Sequence, residues 1–267
     1  MGAPPLQFDS DAAHRLERMY LTPYAQHRRA AVREALALQA GEQILEIGTG
    51  PGFEPYELAS VLGPTGRLQA VDTSEPMLQL SRQRCVDQPW VEFRPADARQ
   101  LPFDDATFDA AVVVQVYEYV DEVDTALLDL FRTLRPGGRV VVVDTDWHAI
   151  AWESHDAARM TRVLTAWEEH LVHPSLARSL PLLLTQAGFE LRQAQVLSAF
   201  DLAFAEDRFS YGLAQLIVEF VSGRQGLSQE DGEAWREDLR QTDQEGRYFF
   251  CLNQDLYLAI KPAEGLM

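Results

Sequence analysis

Ile44-Leu45-Glu46-Ile47-Gly48-Thr49-Gly50-Pro51-Gly52 is an apolar run that reaches an acid and opens into a glycine loop. The run reads as a buried strand. Glycines at 48, 50 and 52 leave no Cβ in the way, so a ligand can lie directly on the backbone. Open α/β sheets bind nucleotides at such a strand-to-loop junction on their carboxyl edge. A dinucleotide loop has the form G-x-G-x-x-G; here Phe53 takes the third glycine position and Pro51 removes a backbone donor. Glu46, just before the first glycine, suits a ligand bearing an ammonium group better than a pyrophosphate.

Downstream, the same unit repeats. A helix over 54–62 ends at Gly63-Pro64, and a strand over 67–71 ends at Asp72. Ser74 or Thr73 caps a helix that has Pro76 in its first turn and runs to Arg84. Short Val91–Phe93 is the third strand, Phe108–Val116 the fourth and Arg139–Val143 the fifth; a helix over Asp124–Leu134 stands before the last of these. The fourth is almost wholly apolar, as expected of a strand covered on both faces. Helices over 156–172 and 175–187, a sixth strand over 189–199, a helical stretch and a last β segment over Tyr248–Ile260 complete the pattern. Alternating strands and helices predict an α/β, doubly wound, seven-stranded, mostly parallel sheet. One domain is expected over 1–267: an N-terminal helical cap at 1–40, a binding core at 41–145, and a substrate side at 146–267 with an insertion at 201–247 between strands six and seven.

Glu46, Asp72 and Asp97 stand 26 and 25 residues apart, each at the end of a strand or just beyond it. A parallel sheet sets all three on one carboxyl edge. An acid after the second strand can accept from both hydroxyls of a ribose. Asp97 with Ala98 offers an acceptor and a backbone N–H side by side, matching the edge of an adenine. Each acid alone reads equally well as a helix cap; three in register with a glycine loop do not.

The bulk composition narrows the partners. A net charge of -18 over 267 residues repels a phosphate backbone, so no nucleic acid is expected. Arg28, Arg29 and Arg33 are the one basic cluster of note, read as the solvated face of a helix. Cys85 and Cys251 build neither a disulfide framework nor a metal site. No secretory or myristoylation signal stands at the N-terminus, and no apolar run approaches the ~20 residues of a membrane span. No membrane association and a cytoplasmic location are expected.

The combination Glu46–Gly52, Val71–Leu78, Asp97–Phe103, Phe108-Asp109 and Leu134–Gly138 resembles class I S-adenosylmethionine-dependent methyltransferases over residues 40–145. Within them it is similar to the small-molecule enzymes of ubiquinone and menaquinone biosynthesis. The resemblance implies a Rossmann-like methyltransferase fold with S-adenosylmethionine as cofactor. It also implies that Glu46, Gly48, Thr49, Gly50 and Gly52 hold the methionine part and Asp72 the ribose, with Thr73 also among the cofactor-binding residues. Met77 then packs on the adenine or is plain core; Asp97 and Ala98 read the adenine edge, and Gln115 lines the methionine side.

Methyl transfer from a sulfonium needs little beyond alignment, and a base only when the acceptor is weakly acidic. Tyr117 at the end of strand four and His148 after strand five are the candidates, His148 doubling as a surface or structural histidine. Asp144, Asp146 and His148 could share one face of a continuing strand, yet no metal is expected, because strand four ends in Gln115 and Tyr117 rather than in ligands. Tyr20, Tyr24, Trp147 and Trp152 suit a planar or apolar acceptor, or else pack between cap and core. Leu213, Leu216, Ile217, Phe220 and Val221 recur at helical spacing within the insertion, which is expected to act as a lid. The expected function is methyl transfer to a small organic acceptor, mainly by proximity; the alternative is a non-methylating member of the fold, a partner subunit or cyclase. Oligomeric state and acceptor identity are left open.

Overall fold

Side chains along the central strands alternate between two cores, as the two-residue period of a strand requires. Leu45, Ile47, Ala111, Val113, Val140 and Val142 join one buried cluster. Ile44, Ala110, Val112, Val141 and Val143 join the other. With both faces covered, no polar alternation survives, which is why these strands read as unbroken apolar runs. The computed structural model describes residues 17–263; the first part of the expected N-terminal helical cap at 1–40 lies outside them.

The strands are β1 (Gln43–Ile47), β2 (Arg67–Asp72), β3 (Val91–Pro95), β4 (Phe108–Val114), β5 (Leu134–Thr145), β6 (Ala151–Trp152), β7 (Glu190–Asp201) and β8 (Phe250–Ile260). β3, β2, β1, β4 and β5 lie side by side in that order, all parallel. β8 runs antiparallel to β5 on one side and to β7 on the other, and short β6 pairs with the first residues of β8. The expected seven-stranded sheet is therefore present with a two-residue eighth strand added. The helices are α1 (Pro23–Leu36), α2 (Phe53–Leu62), α3 (Glu75–Arg84), α4 (Val123–Thr133), α5 (Ala157–Glu168), α6 (Leu180–Gln186), α7 (Phe209–Val221) and α8 (Gln229–Gln244). α1 starts at an N-cap, Thr22, whose hydroxyl accepts from the Ala25 amide, with Pro23 in the first turn. α8 starts at a Ser228–Asp231 capping box.

Several boundaries differ from expectation. β4 stops at Val114 because Gln115 takes φ +54°, which ends the extended run. The helix expected over 156–172 ends at Glu168, and that expected over 175–187 is a 3-10 turn, Leu176–Arg178, followed by α6. Arg28 and Arg29 are buried rather than solvated: α1 turns Ala25, Arg28, Val32 and Leu36 to one face, and that face is covered. A third core sits over the sheet's edge, where α5, α7 and α8 pack Met160, Val163, Trp167, Ile217 and Trp235 together. The 201–247 insertion forms α7 and α8.

Candidate functional site

Between β1 and β4 the winding of the sheet reverses, which opens a crevice at the carboxyl ends of the strands. The glycine loop crosses it. Amides of Gly48 and Thr49 donate to the Val71 carbonyl at 2.8 and 3.2 Å, which stitches the loop to β2. The Gly50 amide donates to Asp72 Oδ2 at 3.0 Å, and the Ser74 amide to Oδ1 at 2.8 Å. Two of the glycines are dictated by space. A Cβ at Gly48 would stand 2.1 Å from Val116 Cγ2, and one at Gly52 would stand 2.6 Å from Ser81 Cα.

A cavity of about 530 Å³ fills the crevice. Its polar wall holds Gly48, Gly50, Asp72, Thr73, Met77, Asp97, Ala98 and Gln115, all expected there from sequence. Glu46, Thr49 and Gly52 belong to the loop but do not line the cavity: Thr49 Oγ1 meets Ser81 Oγ at 3.4 Å and Gly52 packs on α3. Burial, with Glu54 and Asp72 adding to it, pushes the Glu46 carboxyl well above its ordinary range; its Oε2 has no partner. Burial likewise raises Asp72, against the pull of its backbone hydrogen bonds. Asp97 is lowered by the Arg99 guanidinium, which grips both its oxygens.

The other wall is aromatic and apolar. Tyr20 and Trp147 line it, as expected, beside Tyr119, Trp167, His170, Phe209, Leu213 and Leu216. Tyr24 and Trp152 do not reach it, because their polar atoms are consumed inside the fold. Tyr24 Oη donates to Gln254 Oε1 at 2.6 Å, and Trp152 Nε1 donates to Tyr248 Oη at 3.0 Å. The two expected bases are also away from the cavity. Tyr117 is fully buried in the sheet core, its phenol raised by burial and by Asp144, its hydroxyl without a partner. His148 is exposed and faces Glu168 at 3.6 Å. The chain turns into a 3-10 helix at Trp147, so Asp144, Asp146 and His148 do not share a face; Asp146 pairs with Arg178 at 2.8 Å.

Sequence reasoning missed three groups here. Arg28 lines the cavity, 3% exposed, its Nη1 donating to Gln115 Oε1 at 2.6 Å and to Gln254 Oε1 at 3.2 Å. Its place on the apolar stripe of α1 was the available signal. Glu118 lies fully buried behind the aromatic wall and accepts from Trp147 Nε1 at 2.9 Å; burial raises its pKa to about 7, and burial with the Glu118 charge also raises neighbouring Asp144. His170 follows α5 in a loop that carries no motif.

Similarities to known proteins agree with this geometry. A methyltransferase-domain family matches residues 45–142. The chain is 40% identical over 116 residues to a demethylmenaquinone methyltransferase of Clavibacter sepedonicus, over 43% of this chain and 46% of that one. It spans about half the length of the curated relatives it matches. Among solved structures, a SAM-dependent methyltransferase from Aquifex aeolicus superposes with a TM-score of 0.55 at 17% identity, covering 95% of this chain and all of that one. The [4+2]-cyclase SpnF superposes with a TM-score of 0.59 at 21% identity, covering 90% and 82%. Residues 45–142 are thus a class I S-adenosylmethionine-dependent methyltransferase domain, resembling those of ubiquinone and menaquinone biosynthesis.

Proposed function

We propose that this protein transfers a methyl group from S-adenosylmethionine to a small, planar or apolar organic acceptor. One observation carries the reading: a single cavity joins the glycine loop and its acids to an aromatic wall supplied by the 147–170 segment and α7. The residues present fit the cofactor. Asp72 has the place and charge to accept from two ribose hydroxyls, while Asp97 and the Ala98 N–H suit an adenine edge above Met77. Arg28 is a buried cation without a carboxylate within ion-pairing distance among the described residues, which suits a ligand carboxylate. The bare oxygen of Glu46 leaves an unmet acceptor at the foot of the loop, and the charge of a ligand ammonium would favour the carboxylate form that burial disfavours.

When bound, the cofactor supplies an activated methyl group on sulfur. The chain's own contribution is alignment and exclusion of water, effects able to account for ~7–11 kcal/mol of a barrier. Phe209, Leu213 and Leu216 of α7 close the acceptor side, so the insertion serves as a lid over it. The charge of -18 supports a small acceptor over nucleic acid.

Calorimetric titration with S-adenosylhomocysteine, followed by incubation with a labelled methyl donor and a panel of small aromatic acceptors, tests the reading. Micromolar binding together with label transfer is expected. Absence of binding would sink it, and binding without transfer to any acceptor would favour a non-methylating use of the same pocket, as in a cyclase.

A further inference from the structure

Two side-chain amides from different parts of the sheet turn the same way beside the cavity. Thr145, at the end of β5, and Gln254, on β8, are cross-strand partners, so their side chains share one face of the sheet. Gln115 stands one residue beyond β4. Arg28 Nη1 donates to Gln115 Oε1 at 2.6 Å and to Gln254 Oε1 at 3.2 Å. A guanidinium only donates, so both amides must present oxygen to it and send their nitrogens elsewhere. Both nitrogens go to one atom: Gln115 Nε2 donates to Thr145 Oγ1 at 3.0 Å, and Gln254 Nε2 donates to it at 2.9 Å. A hydroxyl oxygen has two lone pairs, and both are taken.

Thr145 and Gln254 are fully buried and Arg28 nearly so, and at such depth a lost partner leaves a stranded polar group. Tyr24 Oη donates to Gln254 Oε1 at 2.6 Å and fills that oxygen's second position. Gln115 holds φ +54°, a conformation L side chains rarely adopt, and residues held this way gather at ligand clamps. The guanidinium so gripped lies at the cavity wall: Arg28 lines the cavity, and its Cζ stands 5.6 Å from the centre of the Tyr20 ring, another lining residue. An arginine has many rotamers, and fixing one before a ligand arrives removes part of the cost of binding.

We infer that Thr145 is a positioning residue for the methyl donor: by taking one N–H from each amide it turns two oxygens onto Arg28 and holds the guanidinium ready for the donor's carboxylate. Thr145 does not line the cavity, so its effect passes through Gln115 and Gln254. Neutral amides suit the task, since a carboxylate in either place would pair with Arg28 and use up the charge that the ligand needs. The inference rests on the methyl-transfer reading, in which Arg28 receives that carboxylate, and adds what fixes Arg28 there.

The test measures, by calorimetry on the full chain, the affinities for S-adenosylhomocysteine and for its decarboxylated analogue, which keeps the ammonium and loses only the carboxylate. Their ratio reads the carboxylate contact alone. In the unmutated protein it should be about 30. Thr145→Val keeps the shape of the side chain and removes the acceptor. There the ratio should fall to about five or less through weaker S-adenosylhomocysteine binding, while the analogue stays within about threefold of its parent affinity. Thr145→Ser restores the hydroxyl and should return the ratio to about 15 or more. A merely structural role would weaken both ligands alike and leave the ratio where it was. An unchanged ratio in Thr145→Val, a parallel loss of both ligands, or a ratio that Thr145→Ser does not restore overturns the inference. Should thermal unfolding show that Thr145→Val does not fold, Thr145→Cys, whose sulfur accepts only weakly, is judged by the same criterion. An unmutated protein that binds both ligands equally overturns the inference and leaves the methyl-transfer reading standing; one that binds neither overturns both.

Discussion

Arg28 Nη1 donates to Gln115 Oε1 at 2.6 Å, which places a buried guanidinium from α1 against the residue that ends β4. Two amide oxygens, those of Gln115 and Gln254, hold the arginine in place without neutralising it. A ligand carboxylate would complete the charge. S-adenosylhomocysteine should therefore bind about 30-fold (~2 kcal/mol) more tightly than its decarboxylated analogue. In Arg28→Met the two ligands should bind within threefold of each other, with no loss of thermal stability. Calorimetry on both proteins reads this out directly, and a carboxylate preference that persists in the variant would remove Arg28 from the site.

Asp72 has two tasks, since its Oδ2 already receives the Gly50 amide and its Oδ1 the Ser74 amide. Replacing it by alanine removes the acceptor for a ribose and also loosens the glycine loop. The expected cost is more than tenfold in affinity for S-adenosylhomocysteine, ~1.4 kcal/mol or greater. Unchanged affinity would mean that the register of acids along the carboxyl edge has been misread.

Gly52→Ala meets backbone, not a yielding side chain: Ser81 Cα would lie 2.6 Å from the new Cβ, at φ +85°. Gly246 has a similar φ of +69° with nothing within 4 Å. Urea unfolding should show a loss of roughly 2–4 kcal/mol for Gly52→Ala, against about 1 kcal/mol for Gly246→Ala. Equal costs would show that α3 can move away from the loop.

Glu118 sets a pH dependence whose sign is fixed by burial. Its pKa is about 7 in the folded protein against an ordinary 4.5, so the folded state keeps a proton that the unfolded chain releases. Stability therefore falls as pH rises through that window and levels off above it. Glu118→Gln does not titrate and can still accept from Trp147 Nε1. Its stability relative to the parent should rise between pH 5 and pH 8 by on the order of 1–3 kcal/mol, measured by urea unfolding at the two pH values. A constant difference across that range would show that Glu118 is already ionised in the fold.

The core of the fold was legible because buried parallel strands and glycine turns leave strong local patterns. β1 and β2 ended at a glycine and an acid where the sequence placed them, and the acids did meet along one edge, whereas β5 runs past both of its expected ends, from Leu134 to Thr145. What escaped notice depended on direction in three dimensions. Tyr24 and Trp152 have the composition of a binding wall, but Gln254 and Tyr248, each distant in sequence, draw their polar atoms inward. Arg28 was taken for surface because charge is usually solvated, although Ala25, Val32 and Leu36 share its helical stripe. His170 and Trp167 are brought to the cavity by packing among α5, α7 and the loop after α5, for which no spacing rule exists. β6, at two residues, is too short to have a period at all.

The position of β8 between β5 and β7 has a consequence for how the molecule is made. Both flanking strands leave the ribosome well before the strand that separates them. Until β8 is synthesised, a gap one strand wide stands open with unpaired amides and carbonyls on each rim, the kind of exposed edge that invites intermolecular pairing. Closing it requires contacts between residues far apart in sequence, which slows the final step. Gln254, which anchors both Arg28 and Tyr24, arrives on that same strand, so the pocket becomes competent only when the sheet is sealed.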